Sequence, residues 1–296
     1  MRKYVIYTAL FGDYDQINQP AVIDDRFDYV LFTDRQINCF SGVWDVKGVD
    51  KVSDDLIKCA RWVKTHPELL LKDYDCSLWI DASIQIMDSY IYDKVIELYE
   101  NSAKISSVIH PERDCVYDEI CTVIEFGVES ERNALNWGHF LRREGFVRNY
   151  GLHETGLLFR MHSDGGVKLF DSLWWECIDS NSSRDQLSFD YCLWKCNVTC
   201  EDIMPRGCSV RNTEHFSLKR HKNEMAKHNR LGRDEGKLAQ EVYRSPNNIM
   251  FIHELYYKIM GFRKPFFWAY TIGQLYCLRN IYLKCRIFPK KSSHIT

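Results

Sequence analysis

Cys76-Ser77-Leu78-Trp79-Ile80-Asp81-Ala82-Ser83 is an apolar run that ends abruptly in a carboxylate and a hydroxyl. It reads as a strand, and in open α/β sheets ligands bind outside the carboxyl ends of the strands, so Asp81 is expected to face a crevice. On either side, short β-branched or aromatic runs alternate with helical stretches. Residues 4–7, 29–32, 105–109 and 152–160 read as further strands. Residues 53–66 read as a helix that Ser53 can cap, with Leu56, Ala60 and Val63 on one face and Pro67 as its stop. Ile91, Val95, Ile96 and Tyr99 form another helical face, 167–178 reads as an amphipathic helix, and 185–194 places Leu187, Tyr191 and Trp194 in phase. This alternation predicts an α/β fold, a mostly parallel sheet flanked by helices.

A chain of 296 residues, 45% hydrophobic and 14% aromatic, has enough apolar material for one large domain or two small ones. The first residues run from Met-Arg-Lys straight into a strand pattern with no export signal, so a cytoplasmic location is expected and the 12 cysteines are read as free thiols. Cys192, Cys196, Cys200 and Cys208 lack the paired spacing of a zinc knuckle. From residue 250 onward eight Lys or Arg stand against one acidic residue, so that stretch carries +7 and the remainder −9. Residues 246–296 are therefore set apart as an aromatic and basic helical tail, behind a catalytic domain of residues 1–245. The tail's uncharged run, 265–278, is too short to span a bilayer. It suits either a peripheral contact with anionic lipid on the inner face of the membrane or a helical hairpin packed on the domain. No nucleic-acid partner is expected.

A carboxylate at the end of a strand such as 77–80 can hold Mg²⁺ or Mn²⁺, and that ion can bridge the diphosphate of a nucleotide sugar and neutralise the charge that builds there as the sugar leaves. The bland alternative for Asp81 is a turn cap. Two literal Asp-x-Asp triplets, Asp13-Tyr14-Asp15 and Asp73-Tyr74-Asp75, are set aside: the first lies in a Gly-containing loop, and the second precedes its strand and so belongs to the opposite edge.

Several segments, in order across roughly residues 4–195, resemble the TOD1/MUCI70 glycosyltransferase-like domain family. They are Tyr7-Thr8-Ala9-Leu10-Phe11-Gly12-Asp13-Tyr14-Asp15, Leu31-Phe32-Thr33-Asp34, Ala60-Arg61-Trp62-Val63-Lys64, the run from Ser77 to Ser83, His110-Pro111-Glu112-Arg113-Asp114-Cys115-Val116-Tyr117, Glu154-Thr155-Gly156-Leu157-Leu158 and Arg184-Asp185-Gln186-Leu187-Ser188-Phe189. The resemblance implies a GT-A-like fold whose second half builds the acceptor site. It also implies metal-assisted sugar transfer from a nucleotide sugar to a glycan or glycolipid, in the assembly of a surface polysaccharide such as capsule or lipopolysaccharide. The wider superfamily's Asp-x-Asp stands here only as Asp81-Ala82-Ser83.

In such a fold Thr8, Ala9 and Tyr14 are expected to wrap the nucleotide, with the Tyr14 ring on the base. Asp34 would take a ribose hydroxyl or a base N–H. Arg61 and Lys64, one helical turn apart, would present two cations to phosphate, unless they are a solvated face. Ser83, His110 and Arg113 are further donor-side candidates, the last two having loop bracing as their competing role. Glu154 and Asp185 are the acidic candidates near the acceptor, either of which could serve as general base, with a helix cap the alternative for Asp185. Gln186 is a donor to the transferred sugar, and His215 a second metal ligand beside Asp81. Two other readings compete: a metal-dependent hydrolase of a glycoconjugate or lipid, and a non-catalytic glycan- or membrane-binding module.

Overall fold

The computed structural model describes residues 4–12, 18–34 and 41–219. Its elements follow in the order β1 (Tyr4–Leu10), β2 (Phe27–Thr33), β3 (Asp45–Gly48), α1 (Leu56–Thr65), α2 (Pro67–Leu70), β4 (Cys76–Ile80), β5 (Ile84–Ile86), α3 (Tyr90–Glu100), β6 (Ile105–Ile109), α4 (Val116–Glu125), α5 (Glu131–Arg143), β7 (His153–Met161), α6 (Gly165–Ser180), α7 (Gln186–Cys196), β8 (Cys200–Asp202) and β9 (Phe216–Leu218). All of these except the C-terminal half of α4 belong to one compact unit. Tyr14, the stretch 220–245 and the tail 246–296 lie outside the described residues.

Among the described residues, seven strands form a sheet in the order β3-β2-β1-β4-β7-β6-β8, and β5 pairs with β9 in a separate ribbon. The pairs β3/β2, β2/β1, β1/β4 and β6/β8 are parallel. β7 is antiparallel to both of its neighbours, β4 and β6, so it alone runs against the others. This sheet bears out the α/β expectation. It also has a geometric consequence: the carboxyl ends of β1, β2, β4 and β6 share an edge with the first residues of β7.

β4 is buried along its whole length, as its apolar run demands of a central strand covered on both faces. Its one polar member, Ser77, is matched by His162, whose Nε2 lies 2.8 Å from Ser77 Oγ. Successive residues serve opposite layers. Ile6, Leu78 and Phe159 join Ile91, Tyr92, Val95 and Leu98 of α3 in one cluster, while on the other face Tyr7 donates from its hydroxyl to Lys64 O at the end of α1 (2.9 Å). Each buried Leu, Ile or Phe contributes about 1.5–3 kcal/mol, so these layers outweigh the three-residue strands β5, β8 and β9.

One local expectation is corrected. The cap of α1 is Asp55, whose carboxylate accepts from Ile57 N–H, while Ser53 Oγ instead accepts from Asp55 N–H. Pro67 both ends α1 and opens α2, where its missing N–H costs nothing. The cysteines of the described residues are free, and Cys192 Sγ lies 3.9 Å from Cys177 Sγ in the interior. No helix among the described residues is long and apolar enough to cross a membrane.

Candidate active site

At the shared edge, two carboxylates and two cations interlock. Asp81, immediately after β4, directs Oδ1 to within 3.8 Å of Arg61 and 3.6 Å of Lys64. Asp185, at the start of α7, receives Lys64 Nζ at 2.5 Å on Oδ2 and Arg61 at 3.3 Å on Oδ1. Thr155 Oγ1 donates to the same Oδ2 (2.9 Å). The N-terminus of α7 gives Asp185 no side-chain capping bond, so the cap alternative does not describe it. Burial alone would raise the Asp185 pKa, but Arg61 and Lys64 more than reverse this and hold it well below the usual carboxylate range. Burial pulls the Lys64 ammonium the other way, downward, against Asp185 and Asp81. The pair is ionised, because Asp185 has a cation on each oxygen and a hydroxyl besides.

The surroundings hold this quartet in place. Lys64 is fully buried between indoles, 5.3 Å from the Trp79 ring and 5.7 Å from the Trp174 ring. Trp79 Nε1 donates to Asp81 Oδ1 (2.7 Å) and Trp174 Nε1 to Asp185 O (3.0 Å). Behind them, buried Arg160 pairs with Asp171 (2.7 Å) and donates to both Tyr7 Oη and Lys64 O. The i,i+3 spacing of Arg61 and Lys64 does put them on one face, but that face is turned inward, not toward solvent.

β7 reaches this edge through a bulge. Ser107 of β6 pairs with Leu158, yet the next residue, Val108, pairs with Glu154, so Thr155, Gly156 and Leu157 are extra on β7. Ser107 Oγ spans the irregularity, 2.7 Å from Glu154 O and 2.9 Å from Leu157 O. The bulge re-aims Thr155 onto Asp185, while Gly156 O accepts from Asp81 N–H (2.9 Å) one step beyond the regular β4/β7 ladder. Gly156 is required by space: a Cβ there would lie 3.0 Å from Ile84 Cδ1 and 3.5 Å from Asp81 Oδ2.

Beside Asp81 a cleft is lined by Thr8, Asn18, Leu31, Trp44 and Ala82 among others. Thr8 is 4% exposed, and its Oγ1 has no hydrogen-bond partner among the described residues. Trp44 is anchored by Nε1 on Asn18 O (2.8 Å) and by an edge contact with Tyr29. The recess is walled by one indole and aliphatic side chains, with an unsatisfied hydroxyl and a carboxylate at its edge. Ala9 is a buried strand residue behind it. Asp34 ties loops together, accepting from Gly12 N–H (3.1 Å) and pairing with Lys51 (3.1 Å).

Farther along the edge, Glu154 is 7% exposed. Arg211 binds its Oε1, and its Oε2 is buried with no hydrogen-bond partner among the described residues. Burial raises the Glu154 pKa and Glu119 adds to the rise, against Arg211 and Arg113. His110 and Arg113 brace the loop after β6. His110 Nδ1 accepts from the N–H groups of Glu112 and Arg113, and Arg113 Nε donates to Glu119 (2.8 Å). Burial, then the arginines Arg113, Arg211 and Arg184, push the His110 pKa down to about 4, so its ring is neutral. Gln186 is buried and takes a bond from Arg184 (3.1 Å).

His215 is not brought to Asp81. Its Nδ1 lies 2.7 Å from Asp88 and its ring stacks on Tyr90 at 4.1 Å. His215 O accepts from Met87 N–H, whereas Ser83 O accepts from Lys219 N–H, so His215 and Asp81 flank opposite ends of the β5/β9 ribbon. Among the described residues no three His, Cys, Asp or Glu side chains gather to hold a metal. What Asp81 offers is Oδ2, on a side chain that is 33% exposed. Mg²⁺ is held elsewhere by one or two carboxylates together with substrate phosphates, and that single oxygen fits such an arrangement.

Sequence reasoning missed Trp44, Thr155 and Arg211. Only Thr155 carried a signal, its position before a glycine in a strand, which marks bulges.

The fold and its edge are those of an α/β domain that binds ligands beyond its strand ends. The chain belongs to the TOD1/MUCI70, glycosyltransferase-like domain family, whose model matches residues 1–221. Among solved structures, the apo form of the bifunctional glycosyltransferase WbbM is similar over 81% of this chain and 44% of its own, at 9% identity and a TM-score of 0.40. The chain thus spans less than half of that protein. No curated protein matches.

Proposed function

We propose that this protein transfers a sugar from a nucleotide-sugar donor to a hydroxyl of a glycan or glycolipid, in the building of a surface polysaccharide. The observation that carries this reading is the interlocked quartet of Asp81, Asp185, Arg61 and Lys64 beside the ring-walled cleft. The nucleoside would lie against Trp44 and Thr8, which brings the diphosphate to Asp81 and Arg61 and the sugar toward β7. Asp185, with all its acceptor capacity directed at Lys64, Arg61 and Thr155, acts as the anchor that positions the two cations. Arg61, 17% exposed, is the cation that phosphate oxygens can meet, and its planar fork suits them. A Mn²⁺ or Mg²⁺ at Asp81 Oδ2, held together with the donor's phosphates, would supply charge neutralisation for the departing diphosphate.

The test is thermal stabilisation of the protein by nucleoside diphosphates, with and without Mn²⁺, followed by turnover of a panel of UDP-, GDP-, dTDP- and CMP-sugars. Stabilisation that needs Mn²⁺ and is lost in Asp81→Ala is the expected result. Equal stabilisation without metal would assign the phosphate charge to the cations alone. Indifference to every nucleotide would overturn the reading.

A further inference from the structure

We infer that Glu154, not Asp185, takes the proton from the acceptor hydroxyl, so that the sugar is transferred with inversion at its anomeric carbon. The inference rests on the transfer reaction proposed above and concerns which of its two buried carboxylates is free to act.

A general base needs an oxygen that is not already committed to a donor. Asp185 has none: Lys64 and Thr155 hold Oδ2, and Arg61 faces Oδ1. Glu154 has one, since Arg211 binds Oε1 while Oε2 has no hydrogen-bond partner among the described residues. A buried, unsatisfied carboxylate oxygen is costly, and such groups persist where function needs them. The cover over Oε1 is a surface cation, with the Arg211 side chain 62% exposed, so ligand can displace it without opening the core.

The position also fits. Glu154 lies two residues along β7 from Gly156, whose carbonyl holds Asp81 N–H, so it stands on the same edge as the proposed diphosphate site. It is firmly placed: Ser107 Oγ bonds its carbonyl, and the preceding residue, His153, gives both its N–H (3.0 Å) and Nδ1 (2.6 Å) to Asp190 of α7. The surrounding charges separate the two acids. Burial and Glu119 hold Glu154 up, against Arg211 and Arg113, whereas Arg61 and Lys64 hold Asp185 down. Environments that drive two carboxylates apart in this way divide their roles, with the raised group better matched to proton uptake near neutrality.

In the step itself, the acceptor oxygen bonds to the anomeric carbon while the bond from that carbon to the diphosphate oxygen breaks. The electron pair leaves with the diphosphate, and the acceptor proton passes to the Glu154 carboxylate, which the acceptor reaches by displacing Arg211.

Water can stand in for the unknown acceptor, so the experiment follows hydrolysis of whichever panel nucleotide sugar the wild-type protein turns over, with the anomer released read at early times by proton NMR. Inverted product is expected. Glu154→Gln should lower kcat by roughly 10²–10⁴-fold while leaving the KM for donor and the stabilisation by nucleoside diphosphate unchanged. In Glu154→Ala, added azide should restore turnover and yield the glycosyl azide of inverted configuration. Arg211→Gln should move the acid limb of the kcat profile to higher pH, because it removes the cation that opposes protonation of Glu154. Retained configuration in the wild-type product, or full kcat in Glu154→Gln, would overturn the inference while leaving the transferase reading intact. A wild-type protein that binds no nucleotide sugar would remove both.

Discussion

Lys64 Nζ and Asp185 Oδ2 lie 2.5 Å apart in the interior, although 121 residues separate them in sequence. The contact joins the end of α1 to the start of α7, and both ends are wrapped in tryptophan. Breaking a buried pair from one side costs about 3–5 kcal/mol, and because Arg61 still faces Asp185 Oδ1 at 3.3 Å when the lysine is removed, the lower end of that range, about 3 kcal/mol, applies here. Lys64→Met is therefore expected to destabilise the fold by about that amount in urea unfolding. Lys64→Met combined with Asp185→Asn is expected to recover much of the loss. A single variant with wild-type stability would show that the charge is not buried as described.

Gly156→Ala tests how tightly β7 approaches the end of β4. The new methyl would meet Ile84 Cδ1 at 3.0 Å and Asp81 Oδ2 at 3.5 Å. The side chain of Ile84 must give by a few tenths of an ångström, and the stability cost is expected to be about 1–2 kcal/mol. The larger effect is expected on donor turnover, which should fall as the methyl comes into contact with Asp81 Oδ2 and covers part of the oxygen offered to the donor. Unchanged kcat/KM for the donor would count against Asp81 as part of the site.

Trp44→Leu removes the ring from the cleft wall and the bond to Asn18 O. If the nucleoside base lies there, affinity for a nucleoside diphosphate should fall roughly tenfold, as expected for loss of one aromatic contact. Calorimetry would read this directly. An affinity that does not move would place the base elsewhere along the edge.

Stability should fall on mild acidification. His162 is buried with Nδ1 on Tyr74 O (3.0 Å) and Nε2 on Ser77 Oγ. Burial, then the nearby Arg160 charge, depresses its pKa to about 4, and His110 is depressed to a similar value. A folded-state pKa below the unfolded value means that the unfolded chain binds more protons between the two. The stabilisation is thus complete above about pH 6.5 and is lost as pH falls toward 4, by up to about 3 kcal/mol per histidine. Urea midpoints measured from pH 7.5 to 4 should show the decline, and His162→Gln should flatten part of it.

The sheet was legible because its central strands are apolar runs that stop at polar residues: the reading of 77–80 as a strand with Asp81 just beyond it matches the structure to within one residue. Ile105–Ile109 was likewise readable from composition alone. What a linear reading lacks is inside and outside. The spacing of Arg61 and Lys64 shows that they share a helix face, but the burial of that face depends on Trp79 and Trp174, which come from a strand and a helix far along the chain. Asp185 has the residue type and position of a helix cap, and only the arrival of Lys64 gives its carboxylate another role. His215 was a reasonable ligand by type, yet a three-residue ribbon sets it at the wrong end. The glycine after Thr155 hints at a bulge, but how many residues it takes up depends on which strand lies next to β7.

The bulge and the reversed direction of β7 have one more consequence, for how such a domain can diversify. The connection over residues 144–150 runs into the start of β7: Phe146 in it is buried with its carbonyl held by Tyr117 Oη (2.8 Å), residues 147–150 are exposed, and the strand that follows is pinned by Asp190 on His153 and by Ser107 on Glu154. Rewriting the exposed stretch 147–150 leaves the carboxylate of Glu154 and the carbonyl of Gly156 where they are. Under the transfer proposed above, a change of acceptor would then need only an exchange of those surface residues, with Glu154 keeping its coordinates.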